Sequence, residues 1–222
     1  MPFWWISFKI NLFKEVFFFL YTAKSEYPKF FPKQKIDWSL LAEAEKYYNQ
    51  EGFESIETPY IVPLQYSEYT KPHSDDSFTL NHGFFNNNPY ELVGSAEQGF
   101  IFLLMNNYFQ KNSQYLSITP CFRVDSYDET HQPWFIKLEL FHYDSDINSL
   151  YRIINIAKKF FENQLFDTIQ IVKTGIDSFD LFYKEIELGS YGIRSIKNNS
   201  FIYGTGLALP RFSQVKNLNH HE

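Results

Sequence analysis

The chain of 222 residues has 20% aromatic residues and a net charge of -6, which fits one folded domain with a large core and argues against disorder. No run of Lys or Arg forms a basic patch, and this argues against a broad electrostatic grip on tRNA or DNA. The single cysteine, Cys121, excludes a disulfide framework and a zinc site built on several thiolates, and it favours a reducing compartment such as the cytoplasm.

Residues 2–22 form an aromatic, apolar run that three charged side chains interrupt. Its longest uninterrupted piece is too short to span a bilayer, and no early positive region or small-residue cleavage site marks a signal peptide. Two interpretations stay open, packing on the core or a dimer seam and attachment to a membrane surface. The prolines within 25–35 predict a connector, so we expect an N-terminal segment at 1–36 and a domain at 37–222.

A helix is predicted from Asp37, a good N-cap, to about Gln50. Apolar side chains recur at helical spacing on one face, which consists of Leu40, Leu41, Ala44, Tyr47 and Tyr48. Gly52 ends this helix. Residues 53–59 follow as an extended strand whose proline must lie at a strand edge or boundary.

Residues 65–90 are polar and are predicted to form a loop. They include His73, Asp75, Asp76 and His82, which raise the question of a metal site. Because their spacing is not that of a tight ligand set, a solvated loop is favoured.

A capping box is predicted at the start of the next helix, where Ser95 and Gln98 stand as S-x-x-Q. The apolar face of this helix would consist of Phe100, Leu103, Leu104 and Tyr108. A helix N-terminus at the rim of a pocket is also a natural ligand site. Ser95, Glu97 and Gln98 therefore have two interpretations, a structural cap and contact with a substrate.

Two strands, 115–124 and 135–143, are predicted to flank the polar loop 126–133. Alternation places Phe135, Lys137, Glu139, Phe141 and Tyr143 on one face of the second strand and Trp134, Ile136, Leu138, Leu140 and His142 on the other. If these strands are buried, their charged side chains, Arg123, Asp125, Lys137 and Glu139, must pair or face a ligand. A solvated outer face of the sheet is the alternative.

Three further elements are predicted after this pair of strands. An amphipathic helix covers 149–165, with a core-facing side of Leu150, Ile153, Ile154, Ala157, Phe160, Phe161 and Leu165. Short strands are predicted at 168–173 and 182–188, and the second leads into the octet ELGSYGIR at 187–194.

The last segment, 201–215, reads FIYGTGLALPRFSQV. Gly204 and Gly206 allow a backbone to approach a ligand closely, because no side chain intervenes. Pro210 suits the first position of a helix, from whose first turn Arg211 would project.

Three of these segments resemble the motifs of class II aminoacyl-tRNA synthetases, in that family's order. The helix, glycine, strand and proline of 37–63 resemble motif 1, the dimerisation element, so a homodimer is expected. The FR-x-D of 122–125, followed by D-x-TH-x-P-x-F-x-x-x-E at 128–139, resembles motif 2 in the wording of the phenylalanyl enzyme. The GTGLALPR of 204–211 resembles motif 3 in the wording of the seryl enzyme.

This resemblance implies an α+β fold with an antiparallel sheet of about six strands flanked by helices. It also implies an ATP site. Arg123 would grip the α-phosphate and the substrate carboxylate, while Phe135 and Arg211 would cover the two faces of adenine. Asp125 would read the adenine amino group or the loop, and His131 would reach the β- or γ-phosphate. Gly204 and Gly206 would lie beside the nucleotide.

The substrate end is implied by two further resemblances. GSAEQ is similar to the TAE loop of the seryl family, and ELGSYGIR is similar to a segment of asparagine synthetase A. The substrate-binding residues implied are Ser95, Glu97, Gln98, Lys137, Glu139 and Arg194. Glu139 would meet the ammonium of an amino acid or magnesium, and Lys137 stands where the family usually has Gln. Glu187, with Glu185 as second choice, would hold Mg²⁺ through ATP.

The function implied is ATP-dependent activation of an amino acid or similar carboxylate to an acyl-adenylate. About 37 residues precede the motif 1 segment and few follow motif 3, so no separate anticodon-binding domain is expected. With the net charge of -6, this predicts an acceptor other than bulk tRNA. An inactive paralogue that serves as a binding or regulatory subunit and a minimal aminoacyl-tRNA synthetase are the alternatives.

Overall fold

The computed structural model describes residues 35–70, 79–80, 89–123, 133–143 and 146–219. Several predictions lie outside these residues: the aromatic run 2–22, nearly all of the connector 25–35, the loop residues His73, Asp75, Asp76 and His82, and the ATP-site candidates Asp125 and His131. Within the described part of the chain, no helix is long and apolar enough to cross a membrane.

The described chain forms five helices and ten strands. The helices are α1 (Trp38–Gln50), α2 (Leu64–Ser67), α3 (Ala96–Met105), α4 (Ile147–Leu165) and α5 (Arg211–Asn219). The strands are β1 (Glu54–Ser55), β2 (Ile61–Pro63), β3 (Thr79–Leu80), β4 (Tyr90–Leu92), β5 (Gln114–Phe122), β6 (Trp134–Tyr143), β7 (Gln170–Lys173), β8 (Ser178–Tyr183), β9 (Ile186–Ile196) and β10 (Asn199–Leu209).

The main sheet has seven strands in the order β1-β5-β6-β10-β9-β8-β7. Only the pair β1–β5 is parallel, and the other neighbours are antiparallel. A small antiparallel sheet has the order β2-β4-β3. The predicted α+β architecture is confirmed, with seven strands in the main sheet where about six were expected.

The central strands of the main sheet are covered on both faces. Helices α1, α4 and α5 pack on one face, where Ile136, Leu138 and Leu140 of β6 join a large core. Helix α3 packs on the other face, where Phe141 contacts a second cluster that includes Phe100 of α3. A solvated outer face at β6 is therefore wrong, and Lys137 and Glu139 lie under protein.

Local signals place the helices that cover the sheet. Asp37 accepts a hydrogen bond from the Leu40 backbone nitrogen at 3.0 Å, which caps α1 as predicted. Gly52 follows the helix with a φ of 94°, a conformation that favours glycine. The amphipathic helix α4 is also confirmed, and its predicted core-facing side chains are buried.

Some predicted boundaries differ from the structure. The strand predicted at 53–59 contains only the two residues of β1. The strand predicted at 182–188 is two strands, β8 and β9, because a turn at Lys184 and Glu185 reverses the chain. Lys184 adopts a φ of 54° there without the glycine that normally marks such a turn. Pro210 directly precedes α5 instead of occupying its first position.

The start of α3 follows a variant of the predicted capping box. Ser95 is the N-cap, and its side chain accepts a hydrogen bond from the Glu97 backbone nitrogen at 3.2 Å. The side chain of Gln98 reaches back to the Gly94 nitrogen at 2.7 Å instead of to the Ser95 nitrogen. Tyr108 lies beyond the end of α3 with 67% of its surface exposed, so it is not part of the apolar face of this helix.

Candidate active site

The candidate site lies where the N-terminus of α3 meets the face of the sheet that carries Phe135, Lys137 and Glu139. Strand alternation places these three side chains on one face of β6. Their register partners on β5 are Cys121, Thr119 and Ser117, and Thr205 of β10 pairs with Glu139. The site is therefore built on three adjacent central strands, with a helix N-terminus above them.

Glu139 holds the N-terminus of α3 in place. It is 5% exposed, and its carboxylate accepts hydrogen bonds from the Ser95 hydroxyl at 2.5 Å and from the Ala96 backbone nitrogen. The same carboxylate forms an ion pair with Lys137, with Nζ 2.7 Å from Oε1. A carboxylate at a helix N-terminus is stabilised by the helix dipole and by the free N–H groups of the first turn. The residue that resemblance assigns to a substrate ammonium or magnesium is thus engaged by the protein's own donors.

Buried Glu97 and partly exposed Arg194 form a second ion pair beside the first. Arg194 Nε lies 2.8 Å from Glu97 Oε1, although the pair is not aligned as a hydrogen bond. Arg194 also donates to the Tyr69 carbonyl at 2.6 Å, and its guanidinium lies 5.1 Å from the centre of the Tyr203 ring. These contacts join β9 to α3, to β10 and to the segment after α2.

Burial raises the pKa of Glu97 to about 7. Arg194 acts against this rise, and the negative charge of Glu139 adds to it. The separation of 2.8 Å lets the opposite charges of Glu97 and Arg194 interact strongly even without an aligned hydrogen bond. Glu97 is consequently a carboxyl group that titrates near neutral pH inside the site.

Arg123 and Phe135, two of the residues predicted to bind ATP, lie at the adjacent ends of β5 and β6. The Arg123 guanidinium lies 5.2 Å from the centre of the Phe135 ring, and its Nε donates to the Gly94 carbonyl at 2.9 Å. Among the described residues, these contacts leave both terminal nitrogens of Arg123 without a partner. The two residues predicted to bind ATP are thus brought together, with donors of the arginine still available.

Arg211 and Glu187 lie beside each other at the junction of β10 and α5 with β9. Arg211 Nη1 is 3.7 Å from Glu187 Oε1 and donates to the Glu187 carbonyl at 3.5 Å. The Glu187 side chain is 44% exposed. Glu185, the second choice for a magnesium ligand, lies in the exposed turn between β8 and β9. The geometry therefore brings Glu187 to a predicted adenine-binding residue, Arg211.

Gly204 and Gly206 have a structural reason to be glycine. A Cβ on Gly206 would lie 2.4 Å from Cδ2 of Leu138, and one on Gly204 would lie 2.6 Å from Cδ1 of Tyr191. Both neighbours belong to the large core, so close packing of β10 suffices to explain these residues. Their place beside a nucleotide stays a prediction.

Sequence reasoning missed the polar floor of the site. The hydroxyls of Thr58, Ser117 and Thr119 lie 3.0 to 3.2 Å from one another and are buried. Next to them, burial raises the pKa of Cys121 to about 12, and Glu139 adds to the rise, so this cysteine is a protonated thiol and not a nucleophile at neutral pH. The sequence signal for this floor is the set of small polar side chains at alternate positions 117, 119 and 121. The structure pairs these positions with 139, 137 and 135 of β6.

No group of His, Cys, Asp and Glu that could hold a metal ion by itself occurs within the described ranges. A magnesium site here would need oxygens from a bound phosphate in addition to Glu187. That fits the preference of Mg²⁺ for one or two carboxylates combined with phosphate oxygens.

Comparison with known proteins places the chain in a family. The family model for tRNA synthetases class II (D, K and N) matches residues 28–174. No curated protein matches the sequence. Solved structures of synthetases resemble the fold at low sequence identity, and at this identity the likeness concerns the fold alone.

Among these structures is a pyrrolysyl-tRNA synthetase from Desulfitobacterium hafniense, with a TM-score of 0.65, 18% identity, and coverage of 81% of this chain and 66% of that one. Another is seryl-tRNA synthetase from Pyrococcus horikoshii, complexed with ATP, with a TM-score of 0.63 and 17% identity. The match covers 81% of this chain and 49% of that one. A third is the cytoplasmic serine-tRNA ligase of Naegleria fowleri, in complex with AMP, with a TM-score of 0.60 and 16% identity. The match covers 78% of this chain and 46% of that one. The chain thus spans about two thirds of the pyrrolysyl structure and about half of the seryl ones.

Proposed function

This chain belongs to the class II tRNA synthetases, and on that premise we propose that it uses ATP to activate an amino acid or similar carboxylate as an acyl-adenylate. In this reaction a carboxylate oxygen attacks the α-phosphorus of ATP. A new oxygen–phosphorus bond forms, and the bond to pyrophosphate breaks. The protein contributes positioning and the neutralisation of charge that builds up on the phosphate oxygens.

The observation that carries the proposal is the pairing of Arg123 with Phe135 at the ends of β5 and β6. With Nε engaged by Gly94, the two terminal nitrogens of Arg123 offer a planar fork to an α-phosphate oxygen and a substrate carboxylate. Phe135 offers a ring for adenine, and Arg211 covers the opposite face of the base.

Glu187 would hold Mg²⁺ together with phosphate oxygens of ATP. The exposed carboxylate is a hard oxygen ligand of the kind that Mg²⁺ prefers, and Arg211 beside it offers positive charge to the phosphates. When bound, the ion supplies charge that favours departure of pyrophosphate.

The proposed acyl acceptor is a small amine or a protein side chain and not bulk tRNA. Support comes from the net charge of -6 and from the lack of a Lys- or Arg-rich run, since binding of a polyanion depends on many phosphate contacts with positive charges. In the acceptor step the nucleophile attacks the acyl carbon, and AMP leaves.

Calorimetric titration with a non-hydrolysable ATP analogue tests the nucleotide site. Arg123→Ala and Arg211→Ala should each lose about 2 to 3 kcal/mol of binding free energy, because each removes a charged contact with the nucleotide. Arg152→Ala is the matched control, since Arg152 lies on α4 and donates to Gln114 away from the site. Affinity equal to the wild type in both site variants would remove the assignment.

Exchange of labelled pyrophosphate into ATP tests the activation step itself. The assay should be run over the twenty amino acids and over simple carboxylic acids, with parallel incubation in total tRNA. Exchange without tRNA charging supports the proposal as stated. Efficient tRNA charging would make the chain a minimal aminoacyl-tRNA synthetase, whereas ATP binding with no exchange for any acid would favour an inactive paralogue.

A further inference from the structure

The turn 93–96, which leads into α3, is fixed by hydrogen bonds on two sides. The Val93 carbonyl accepts a hydrogen bond from the Phe122 nitrogen, the last residue of β5, at 2.8 Å. The Gly94 nitrogen donates to Oε1 of Gln98 at 2.7 Å. This carbonyl and this nitrogen belong to one peptide unit, so β5 and α3 together set its orientation.

Gln98 makes its contact from inside the protein. It lies in the first turn of α3, and only 4% of its surface is exposed. A backbone N–H that is buried without an acceptor costs free energy, so the amide oxygen of Gln98 is a fixed part of this turn. Gln98 was expected to contact a substrate, and the structure directs its oxygen to Gly94.

The side chain of Arg123 lies along the same turn. Its Nε donates to the Gly94 carbonyl at 2.9 Å. A Cβ built on Gly94 would lie 3.5 Å from Cγ and 3.7 Å from Nε of Arg123, so the arginine passes close to this glycine. On its other side the guanidinium lies 5.2 Å from the centre of the Phe135 ring. The turn and the ring thus hold the arginine between them.

These contacts matter because Arg123 is exposed. A long, exposed side chain populates many rotamers, and only some of them present its terminal nitrogens to a ligand. The guanidinium is planar, so a hydrogen bond from Nε restricts the plane in which both terminal nitrogens lie. The position of the Gly94 carbonyl therefore determines the direction in which Arg123 offers its fork.

We propose that Gln98 is a positioning residue for Arg123. By holding the Gly94 turn, Gln98 orients the fork of Arg123 towards the α-phosphate of ATP and the carboxylate of the acid. The inference rests on the proposed activation by ATP. The contribution of Gln98 to binding passes through Arg123, and it requires only that an oxygen acceptor stand at this place in α3.

A double-mutant cycle on binding of the ATP analogue tests this inference. Gln98→Met keeps the length of the side chain and removes the acceptor. It should weaken binding about five- to tenfold in the wild-type background and less than about twofold in the Arg123→Ala background, where the group that Gln98 orients is gone. Gln98→Glu keeps an oxygen acceptor and should bind the analogue at least about threefold more tightly than Gln98→Met does.

Asp146→Ala is the matched control, because it also removes a side-chain acceptor at a helix N-terminus. Asp146 caps α4, where it accepts hydrogen bonds from the nitrogens of Asn148 and Ser149. This variant should bind the analogue as the wild type does. Urea unfolding checks that each variant is folded, and Gln98→Asn, whose amide is one carbon too short to reach Gly94, takes the place of a Gln98→Met that does not fold.

Four results would overturn the inference. Wild-type affinity in a folded Gln98→Met, an equal loss with and without Arg123, a Gln98→Glu no better than Gln98→Met, or an equal loss in Asp146→Ala would each remove the role of Gln98 and leave the proposed activation standing. Wild-type affinity in Arg123→Ala would instead overturn the inference together with the assignment of Arg123 to the nucleotide.

Discussion

Replacing Glu97 by glutamine should change how the stability of the protein depends on pH. The substitution keeps the shape of the side chain and removes a buried group that titrates. Burial raises the pKa of Glu97 from 4.5 to about 7, against the opposing effect of Arg194, so the folded state holds this proton more tightly than the unfolded chain does. The stability that protonation contributes is therefore complete below about pH 4.5 and is lost as the pH rises through about 7.

The size of this effect follows from the shift in pKa. The pKa of Glu97 rises from 4.5 to about 7, which is a difference of about 2.5. Each unit of pKa corresponds to about 1.4 kcal/mol, so protonation of Glu97 contributes about 3 kcal/mol of unfolding free energy at most. Between pH 5 and pH 8 the wild type should lose about 2 to 3 kcal/mol of unfolding free energy relative to Glu97→Gln. Contributions from other titrating groups cancel in this difference.

Urea unfolding of both proteins at several pH values measures this difference directly. Glu68→Gln serves as the control for loss of one negative charge, because Glu68 is exposed. A difference between wild type and Glu97→Gln that stays within about 0.5 kcal/mol from pH 5 to pH 8 would refute the reasoning. It would mean that the ion pair with Arg194 fully offsets the cost of burying the Glu97 charge.

Three further predictions concern the packing and the assembly of the site. Glu139→Ala should lower the unfolding free energy by about 3 to 5 kcal/mol in urea, because it leaves a buried ammonium and a helix N-terminus unpaired, and a loss below about 1 kcal/mol would contradict that role. Gly206→Ala should lower the unfolding free energy by about 1 to 3 kcal/mol, because its Cβ would lie 2.4 Å from Leu138. The control Gly175→Ala, whose Cβ would have its nearest contact at 3.3 Å, should lower it clearly less. Light scattering should show a homodimer, because the exposed edge strand β1 belongs to the segment that resembles motif 1. A mass of 26.5 kDa at micromolar concentration would contradict the dimer.

The parts of the fold that could be predicted are those with local signals. Asp37 as N-cap, Gly52 after α1 and the apolar face of α4 each depend on residues within a few positions of one another. The turn after β8 could not be predicted in this way. Lys184 adopts a positive φ there, and neither Lys184 nor Glu185 is the Gly, Asn or Asp that usually marks such a hairpin turn.

The candidate site shows the same division between local and distant information. Sequence identified Glu97, Glu139 and Arg194 as candidates, but it could not assign partners to them. Glu97 and Arg194 are far apart in the chain and meet only because the fold brings the first turn of α3 close to β9. Glu139 faces α3 because that helix begins above β6, which no local pattern indicates.

Arg123 and Lys137, two cations of the candidate site, differ in their contacts with the described residues. No described residue accepts a hydrogen bond from the terminal nitrogens of Arg123, so Arg123→Ala should weaken binding of the ATP analogue. Lys137 is already paired with Glu139, so Lys137→Gln should leave ATP affinity within about twofold. If Lys137→Gln instead weakened ATP binding as much as Arg123→Ala does, Lys137 would be a phosphate ligand.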